Sequence, residues 1–322
     1  MDNIYSKKIE SIVKFFEANQ AISVHVINDE AGLPQRKLEA VLKSNGKRKL
    51  TDENFAALEP VLKRYGFSEN VLKKNKIIAI ANHKGGVGKT TTTACLGEAL
   101  SKHGYRVLLL DFDPQGNLSQ ILGVENPEFQ IADSLFTKTQ MPIIQIKENL
   151  WLAPSDINLA EIEVDLLTKV GGDLRLKYKI KEILDDFDFV LIDCPPSLSK
   201  LTISALNACD SVIITMLPEA SSMKGLDSLL NRISEVQEHI NRDLKIDGIV
   251  FTMVKKNSVH DIFKDNVKSK MNGTIKVFDS EIKHLVDIQK SQALQMTLGD
   301  LGLNTEAYKC YKSLCEEYLK QI

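Results

Sequence analysis

The chain has 322 residues, with 41 Lys and Arg against 43 Asp and Glu and a hydrophobic content of 43%. That length predicts about two domains with a full core, because typical domains have about 100–200 residues. A net charge of −2 excludes a basic field over the whole chain, although a local basic face stays open.

Three features of the sequence lead us to expect a cytoplasmic protein with no membrane partner. The five cysteines have no CxxC spacing and no His partners at zinc-site distances, which predicts reduced thiols. The N-terminus is charged within its first ten residues and lacks the apolar core of a signal peptide. No stretch reaches the roughly 18–20 apolar residues that a membrane span requires.

The first 75 residues carry helical patterns and no alternating strand pattern, so we expect a small all-α domain over 1–75. Two short predicted helices, Ser23–Ala31 and Pro34–Ser44, are joined by a glycine turn, which is the arrangement of a helix-turn-helix. A third helix is predicted over Thr51–Tyr65, after the basic connection 45–50. The side chains expected to read DNA bases stand at the start of the second helix: Gln35, Arg36 and Lys37.

The interior of this segment fits the helix-turn-helix motif with one departure. Ile27, Leu33, Leu38 and Val41 occupy the positions at which the motif packs its core. Asn28 stands where the first helix usually has a small residue. The segment resembles a phage-repressor-like domain, and the alternative is a small helical domain used for dimer contacts or protein docking.

From Lys76 onward, short runs rich in Ile, Val and Leu alternate with amphipathic stretches. Such runs are typical of strands buried on both faces of a parallel sheet, so we expect a doubly wound, mostly parallel α/β domain over 76–322. The predicted strands are 76–82, 106–113, 189–193, 211–216 and 246–254, with weaker candidates at 151–154 and 275–278. The predicted helices are 90–103, 174–186, 199–208 and 224–240.

The segment 82–91, which reads NHKGGVGKTT, follows the first strand and opens a helix. Glycines let backbone amides curve around phosphate oxygens, and a helix N-terminus attracts negative charge. Lys89 would bind the β- and γ-phosphates, and the Thr90 hydroxyl would bind Mg²⁺. The order Gly88, Lys89, Thr90 therefore predicts a P-loop, although His83 replaces its usual first glycine.

Two later strands end in carboxylates, at the edge of the sheet where α/β proteins bind ligands. Asp111 and Asp113 lie in the run DFDPQGN, Asp113 standing 24 residues beyond Lys89. Asp193 ends the apolar run FVLID, as in a Walker B strand whose carboxylate holds Mg²⁺, usually through water. Each run alone is also an ordinary turn or strand end, but the three motifs in this order indicate a P-loop NTPase.

These motifs resemble those of the ParA/MinD superfamily, and in particular the ParA-type partition ATPases, over residues 76–322. The run KGGVGKTT resembles the deviant Walker A of that group, whose signature lysine is here Lys84. The resemblance implies that Lys84 reaches across to the nucleotide of a second subunit, that Asp113 orients the attacking water, and that Asp111 supports the outer shell of the metal.

The resemblance implies three sets of site residues. Those implied in nucleotide binding are Lys84, Gly85, Gly86, Val87, Gly88, Lys89, Thr90 and Thr91, with Thr91 at the α-phosphate. Those implied in metal binding are Thr90, Asp193 and Asp111, and those implied in catalysis are Lys84, Lys89 and Asp113. ATP is expected rather than GTP, because 168–171 lacks the Asp of a guanine-reading NKxD motif.

Charge is unevenly distributed along the chain. Residues 1–75 carry a net charge of +3, the remainder carries −5, and the segment 251–276 within it carries +4. Such a run is usually a solvated surface, whereas the resemblance implies non-specific DNA binding by an ATP-bound homodimer through this region. The candidate residues are Lys255, Lys256, Lys264, Lys268 and Lys270.

The resemblance also implies three further properties. A ParB-type centromere-binding protein would stimulate hydrolysis, and the protein would associate with the nucleoid. The N-terminal domain would, as a hypothesis, repress the protein's own operon.

Three other classes share the deviant loop. A MinD-like membrane ATPase, the retained alternative, would end in a basic amphipathic helix, whereas 304–322 has as many acidic residues as lysines and an apolar stripe that favours core packing. An iron–sulfur carrier requires paired cysteines, and Cys194 has no evident mate. A metabolic ligase would require a further catalytic cluster, which the sequence does not display.

Overall fold

The computed structural model describes residues 22–44, 50–65 and 75–322, together with Ile9, Ile12, Val13, Phe15, Phe16, Asn19 and Phe67. The chain divides into two compact units, residues 1–74 and 75–322. The basic connection 45–50, apart from Leu50, and most of the predicted boundary between 65 and 76 lie outside the described residues.

The described part of the first unit contains α1 (Val24–Glu30), α2 (Lys37–Lys43) and α3 (Asp52–Arg64). Ser23 and Thr51 cap α1 and α3 through their hydroxyls, which explains where the predicted first and third helices begin. The second helix starts at Lys37, so the prediction that it begins at Pro34 is wrong. Arg36 has a left-handed backbone with φ of 58°, which is incompatible with a helix that already includes it.

The hydrogen bonds of the Asn28 side chain explain why an asparagine occupies this position of the motif. This side chain is buried, and its amide donates to the carbonyl oxygen of Leu33 at 3.3 Å and to that of Pro34 at 3.4 Å. Its oxygen accepts from the backbone amide of Leu38 at 3.0 Å, in the first turn of α2. One asparagine therefore satisfies polar groups on both sides of the turn, a role that a small apolar residue could not perform.

The second unit contains a seven-stranded sheet in the order β3-β4-β2-β5-β1-β6-β7. The strands are β1 (Lys76–Ala81), β2 (Val107–Asp111), β3 (Ile144–Lys147), β4 (Leu150–Ala153), β5 (Phe189–Asp193), β6 (Ser211–Met216) and β7 (Lys245–Phe251). All neighbouring strands are parallel except β3, which runs antiparallel to β4 at the edge. The mostly parallel sheet confirms the predicted fold class of this region.

Helices cover the sheet, and alternate residues of each central strand enter opposite cores. On β1, Ile77 and Ala79 belong to one core, and Ile78 and Ile80 belong to the other. The helices are α4 (Lys89–Lys102), α5 (Asn117–Ile121), α6 (Ile131–Leu135), α7 (Leu159–Thr168), α8 (Arg175–Lys181), α9 (Lys200–Ala208), α10 (Ser221–His239), α11 (Ser258–Met271), α12 (Val286–Ala293), α13 (Leu298–Leu301) and α14 (Glu306–Leu319).

The C-terminal helix α14 packs in the core beside α4. The predicted core stripe is confirmed for Tyr308, Tyr311, Leu314, Cys315 and Tyr318, which are all buried, and Leu319 is partly buried. It is wrong for Ile322, which lies beyond the end of α14 and is exposed. Among the described helices, none combines the length and the apolar character that crossing a bilayer requires.

Of four other predicted elements, one is present and three differ from the structure. The weak strand at 151–154 is present as β4, whereas 275–278 contributes only an isolated bridge between Val277 and Ile249. The predicted strand 246–254 ends at Phe251, because Met253 has a left-handed backbone with φ of 52°. The predicted helix 174–186 is divided, since 3₁₀ turns precede and follow α8.

A buried ion pair joins two strands at the end of the sheet away from the strands' carboxyl ends. Lys76 Nζ lies 2.8 Å from Asp247 Oδ2, whose side chain is 7% exposed. The same oxygen accepts from Ser211 Oγ at 2.6 Å and from the Tyr318 hydroxyl at 2.9 Å. This carboxylate therefore depends on its partners, because a buried charge without them is costly.

We expect Lys76→Met to lower the free energy of unfolding by about 3 kcal/mol, since it leaves the Asp247 carboxylate buried without its cation. Urea denaturation would measure the change. Lys245→Met, at an exposed position that forms no ion pair with the described residues, is the matched control. A loss below about 1 kcal/mol, typical of a surface pair, would contradict this account.

Candidate active site

The segment 84–88 forms a loop between β1 and α4, and its glycines have the backbone that such a loop requires. Gly86 has φ of 71° and Gly88 has φ of 79°, and Gly88 is the N-terminal cap of α4. This left-handed region is strained for residues with a Cβ atom. The loop therefore presents backbone amides at the start of a 14-residue helix, where an anion is favoured.

Lys89, the first residue of α4, is buried to 5% exposure, and its Nζ donates to the carbonyl oxygen of Lys84 at 3.2 Å. Burial lowers the pKa of Lys89, while the nearby Asp193, Cys194 and Asp113 raise it. The structure thus holds a cation against the inner side of the loop, where it would meet a phosphate.

The carboxylates of Asp111 and Asp193 lie side by side, because β2 and β5 pair in a register that aligns these two residues. Both are fully buried. Burial raises the pKa of Asp193 well above its usual value, and the neighbouring Asp111 raises it further, whereas Thr90 and Lys89 lower it. Burial also raises the pKa of Asp111, to about 7. Two adjacent buried carboxylates form a site that favours a cation.

Only one of these two carboxylates has an oxygen without a hydrogen-bond partner among the described residues. Asp111 Oδ2 accepts from the amide and hydroxyl of Ser119 at 2.8 and 2.7 Å, and Oδ1 accepts from the amide of Asp113 at 3.3 Å. Asp193 Oδ1 accepts from Thr93 Oγ1 at 3.5 Å, while the buried Oδ2 has no hydrogen-bond partner among the described residues. That oxygen of Asp193 is therefore available to a ligand.

The donor set fits Mg²⁺ and not a cage built from protein ligands. Within the described ranges, no three His, Cys, Asp or Glu side chains come together as a metal cluster. Mg²⁺ usually keeps several waters and binds one or two carboxylates together with substrate phosphates. Asp193 and the Thr90 hydroxyl would hold it here, and Asp111, whose oxygens are already occupied, suits the outer shell.

The two remaining candidate catalytic residues differ in exposure. Asp113 is 6% exposed, and its Oδ1 accepts from the amide of Gln115 at 3.0 Å. The side chain of Lys84 is 37% exposed, with Nζ 3.2 Å from Glu219 Oε2 and 3.0 Å from Ser221 Oγ. Lys84 is thus the accessible member of the site and Asp113 the enclosed one.

Two side chains that shape the loop were assigned no role from the sequence. Thr252, just beyond β7, donates from Oγ1 to the carbonyl oxygen of Val87 at 2.8 Å. Asn82 accepts from the amide of Lys84 at 2.9 Å and donates to the carbonyl oxygen of Thr215. The available signal was position, because both residues stand at the carboxyl ends of strands, at the edge that carries the ligand.

The candidate DNA-binding lysines are not equivalent. Lys264 pairs with Asp261 and Glu281, Lys268 pairs with Asp279, and Lys270 pairs with Asp227, at 2.7 to 3.4 Å. Lys255 and Lys256 are exposed and form no ion pair with any residue that the structure describes. In the first unit, Gln35 and Arg36 are exposed and Lys37 is half-buried.

The fold and the site define the protein as a P-loop NTPase. It has a glycine loop between β1 and a helix, a buried lysine, and a carboxylate with a free oxygen at the end of a strand. The profile of a family described as AAA domain matches residues 75–246. The sporulation initiation inhibitor protein Soj of Bacillus subtilis is 45% identical over 184 residues, which cover 56% of this chain and 73% of that protein.

Two further proteins extend the similarity to about three quarters of the chain. The chromosome partitioning protein ParA of Caulobacter vibrioides is 32% identical over 265 residues, which cover 76% of this chain and 94% of that protein. The crystal structure of a putative plasmid partition protein from Borrelia burgdorferi bound to AMPPNP has a TM-score of 0.67 and 29% identity, covering 77% of this chain and 99% of that one.

The chain belongs to the ParA/MinD superfamily of P-loop ATPases, to which the family profile and both relatives point. It is an ATPase, and its cofactors are ATP and Mg²⁺, which the phosphate loop and the free oxygen of Asp193 suit.

Proposed function

We propose that this protein is a DNA partition ATPase whose ATP-bound dimer holds DNA and whose hydrolysis releases it. The observation that carries the proposal is one sheet edge that combines an accessible Lys84 with an enclosed Asp113, in a chain that covers 94% of a chromosome partitioning relative. DNA as the cargo, a ParB-type protein as the stimulating partner and a location on the nucleoid belong to this proposal.

The residues of the site divide the work of phosphoryl transfer, which requires positioning and charge neutralisation. Lys89 and the amides of 85–88 would bind the phosphates, and Asp193 Oδ2 and the Thr90 hydroxyl would hold Mg²⁺. When bound, Mg²⁺ neutralises charge on the phosphoryl oxygens. Asp113 Oδ2 would accept a hydrogen bond from the attacking water, because the Gln115 amide occupies Oδ1. Burial of these groups keeps other water away from the reaction.

Lys84 would link hydrolysis to dimerisation. Its ammonium group stands at an accessible position, held by two side chains of its own subunit, Glu219 and Ser221. If a second subunit binds against this face, the ammonium group of Lys84 would contact the nucleotide bound to that second subunit. ATP would then stabilise the dimer, and hydrolysis of ATP would cause the two subunits to dissociate.

Within the basic segment, Lys255 and Lys256 are the preferred DNA contacts. A lysine that already pairs with carboxylates has to break those pairs before it can neutralise a phosphate, whereas these two do not. Aromatic side chains are few in this region, which favours backbone contacts over base stacking.

We expect the double substitution Lys255→Ala and Lys256→Ala to weaken ATP-dependent DNA binding and to reduce the slope of log affinity against log salt by about 2, one for each lost phosphate contact. Fluorescence anisotropy with a random-sequence duplex, at several salt concentrations, would measure both. Lys264→Ala, which removes a lysine already paired with Asp261 and Glu281, is the control and should change the slope little.

Binding that depends neither on salt nor on the nucleotide would contradict the proposed mechanism. Equal affinity with ATP, with ADP and without nucleotide would make the protein a DNA-binding protein whose ATPase serves another purpose. The same titration in all three states therefore tests the proposed function itself.

The first unit would supply a second, sequence-specific contact. Three described helices and the exposed Gln35 and Arg36 before α2 support a DNA-reading role that represses the protein's own operon. Footprinting of the full chain on its upstream DNA would test this, with Arg36→Ala expected to lose protection. Absence of protection with every nucleotide would favour the docking role instead.

The MinD-like membrane alternative is not favoured. The apolar residues of α14 that would enter a bilayer are packed in the core, with Tyr311, Leu314 and Tyr318 at 1% exposure or less.

A further inference from the structure

Outside the phosphate loop, the described residues 286–300 touch α4 at two points on the same side of the helix. Gln292 Nε2 donates to Thr91 Oγ1 at 2.9 Å. Seven residues further along α4, Glu98 accepts from the amide of Gly299 at 2.9 Å. Residues seven apart lie two turns along one face of a helix, so the segment follows the helix that begins at the nucleotide.

The second of these points is a buried anchor. Glu98 is 1% exposed and also accepts from Thr297 Oγ1 and from Lys147 Nζ, the latter at 3.3 Å. Lys147 Nζ reaches Asp300 Oδ1 at 2.5 Å as well. A satisfied buried network of this kind fixes its members in position, so the segment that carries Gln292 has little freedom to slide along α4.

The first point leaves Thr91 with one hydrogen to donate. A threonine hydroxyl has one O–H and two acceptor sites, and the Gln292 amide occupies an acceptor site. Thr91 Oγ1 donates to no atom of the described residues, although the side chain is only 9% exposed. Thr91 follows Lys89 and Thr90 in the first turn of α4, where the phosphates are expected.

We propose that Gln292 is a positioning residue for ATP binding: by donating to Thr91 Oγ1, it orients the Thr91 hydroxyl so that its hydrogen points to the α-phosphate. This inference rests on the proposed nucleotide site. Gln292 is distant in sequence from every motif, and it would act through Thr91 without touching the ligand.

Removal of the Gln292 side-chain amide should weaken nucleotide binding only through its effect on Thr91. Gln292→Ala is expected to lower the affinity for Mg²⁺·ATP and Mg²⁺·ADP by the same factor, about threefold to tenfold, because both ligands keep the α-phosphate. The Gln292→Glu variant should bind both nucleotides more weakly still. An ionised carboxylate only accepts, so it would take the hydrogen of Thr91 for itself and would add negative charge near the ligand.

Two comparisons distinguish positioning from a merely structural role. If Gln292 only fills space, Gln292→Met, which keeps the size and neutrality of the side chain without its amide, should bind as the unmodified protein does, whereas a positioning role predicts the same loss as for Gln292→Ala. Gln289→Ala, which removes an exposed glutamine from the same helix, should leave binding unchanged. Thermal unfolding without nucleotide would show that each variant is folded.

The decisive experiment is a double-mutant cycle on the full chain, with a fluorescent ATP analogue and Mg²⁺ as the probe. On a Thr91→Val background, Gln292→Ala should cost little further affinity, since the hydroxyl that it orients is gone. The inference would be overturned if the losses of binding free energy from Thr91→Val and Gln292→Ala were fully additive in the double variant. An unchanged affinity of the Gln292→Glu variant would also overturn it. Lys89→Ala in the same assay separates the two failures: if it binds normally, the nucleotide site is misplaced and both proposals fall.

Discussion

Replacing Lys89 with alanine is expected to reduce the affinity for Mg²⁺·ATP by roughly 30-fold or more, because loss of one partner of a buried, hydrogen-bonded charge pair costs about 2–5 kcal/mol. The structure places this ammonium group on the inner side of the loop, 3.2 Å from the carbonyl oxygen of Lys84. No other lysine or arginine is described in the first turn of α4 to replace it. Equilibrium titration with a fluorescent ATP analogue would measure the loss.

The same helix supplies the control for this substitution. Lys102 lies in the last turn of α4 and is exposed, so Lys102→Ala removes an equal charge far from the loop and should leave the affinity unchanged. An affinity of Lys89→Ala within threefold of the unmodified protein would show that the loop does not hold the phosphates in the proposed way.

The second large effect is expected on turnover and not on binding. Asp113→Ala should lower the rate of ATP hydrolysis about 10²–10⁴-fold, the usual contribution of a positioned acid–base group, with the ATP affinity preserved. The residue is buried, and only its Oδ1 is occupied within the site. Phosphate release would report turnover, and light scattering after gel filtration would report whether ATP still produces a dimer.

Asp113→Asn tests whether charge or shape matters. The asparagine oxygen still accepts from the amide of Gln115, so the turn is kept while the carboxylate charge is lost. We expect this variant to be nearly as slow as Asp113→Ala. Full hydrolysis in either variant would remove Asp113 from the mechanism, and loss of the ATP-dependent dimer would give it a structural role instead.

The central strands and the loop were predictable because local sequence determines them. Near-continuous apolar runs such as that of β5 are typical of strands buried on both faces. The edge strand β3 was missed, because two of its four residues, Ile144 and Gln145, are exposed and it has no apolar run. The break before α2 was missed too, since a left-handed arginine leaves no compositional signal.

The partners of charged side chains were beyond the reach of sequence. The basic segment appeared free because its lysines outnumber its own acids, but Lys264 pairs with Glu281 and Lys270 with Asp227, which stand 17 and 43 residues away. Only the folded chain brings these carboxylates close. In the same way, the bond between Gln292 and Thr91 spans 201 residues and has no local pattern.

The hydroxyl of Thr252 has a mechanical consequence. It fastens the carbonyl oxygen of Val87, within the phosphate loop, to the chain that leaves β7. Lys255 follows three residues later, a span of at most about 10 Å of extended backbone. The phosphate loop and the two lysines that form no ion pair with the described residues are thus connected by a short stretch of chain, and Val254 within that stretch is itself held by backbone hydrogen bonds with Ile282 and His284.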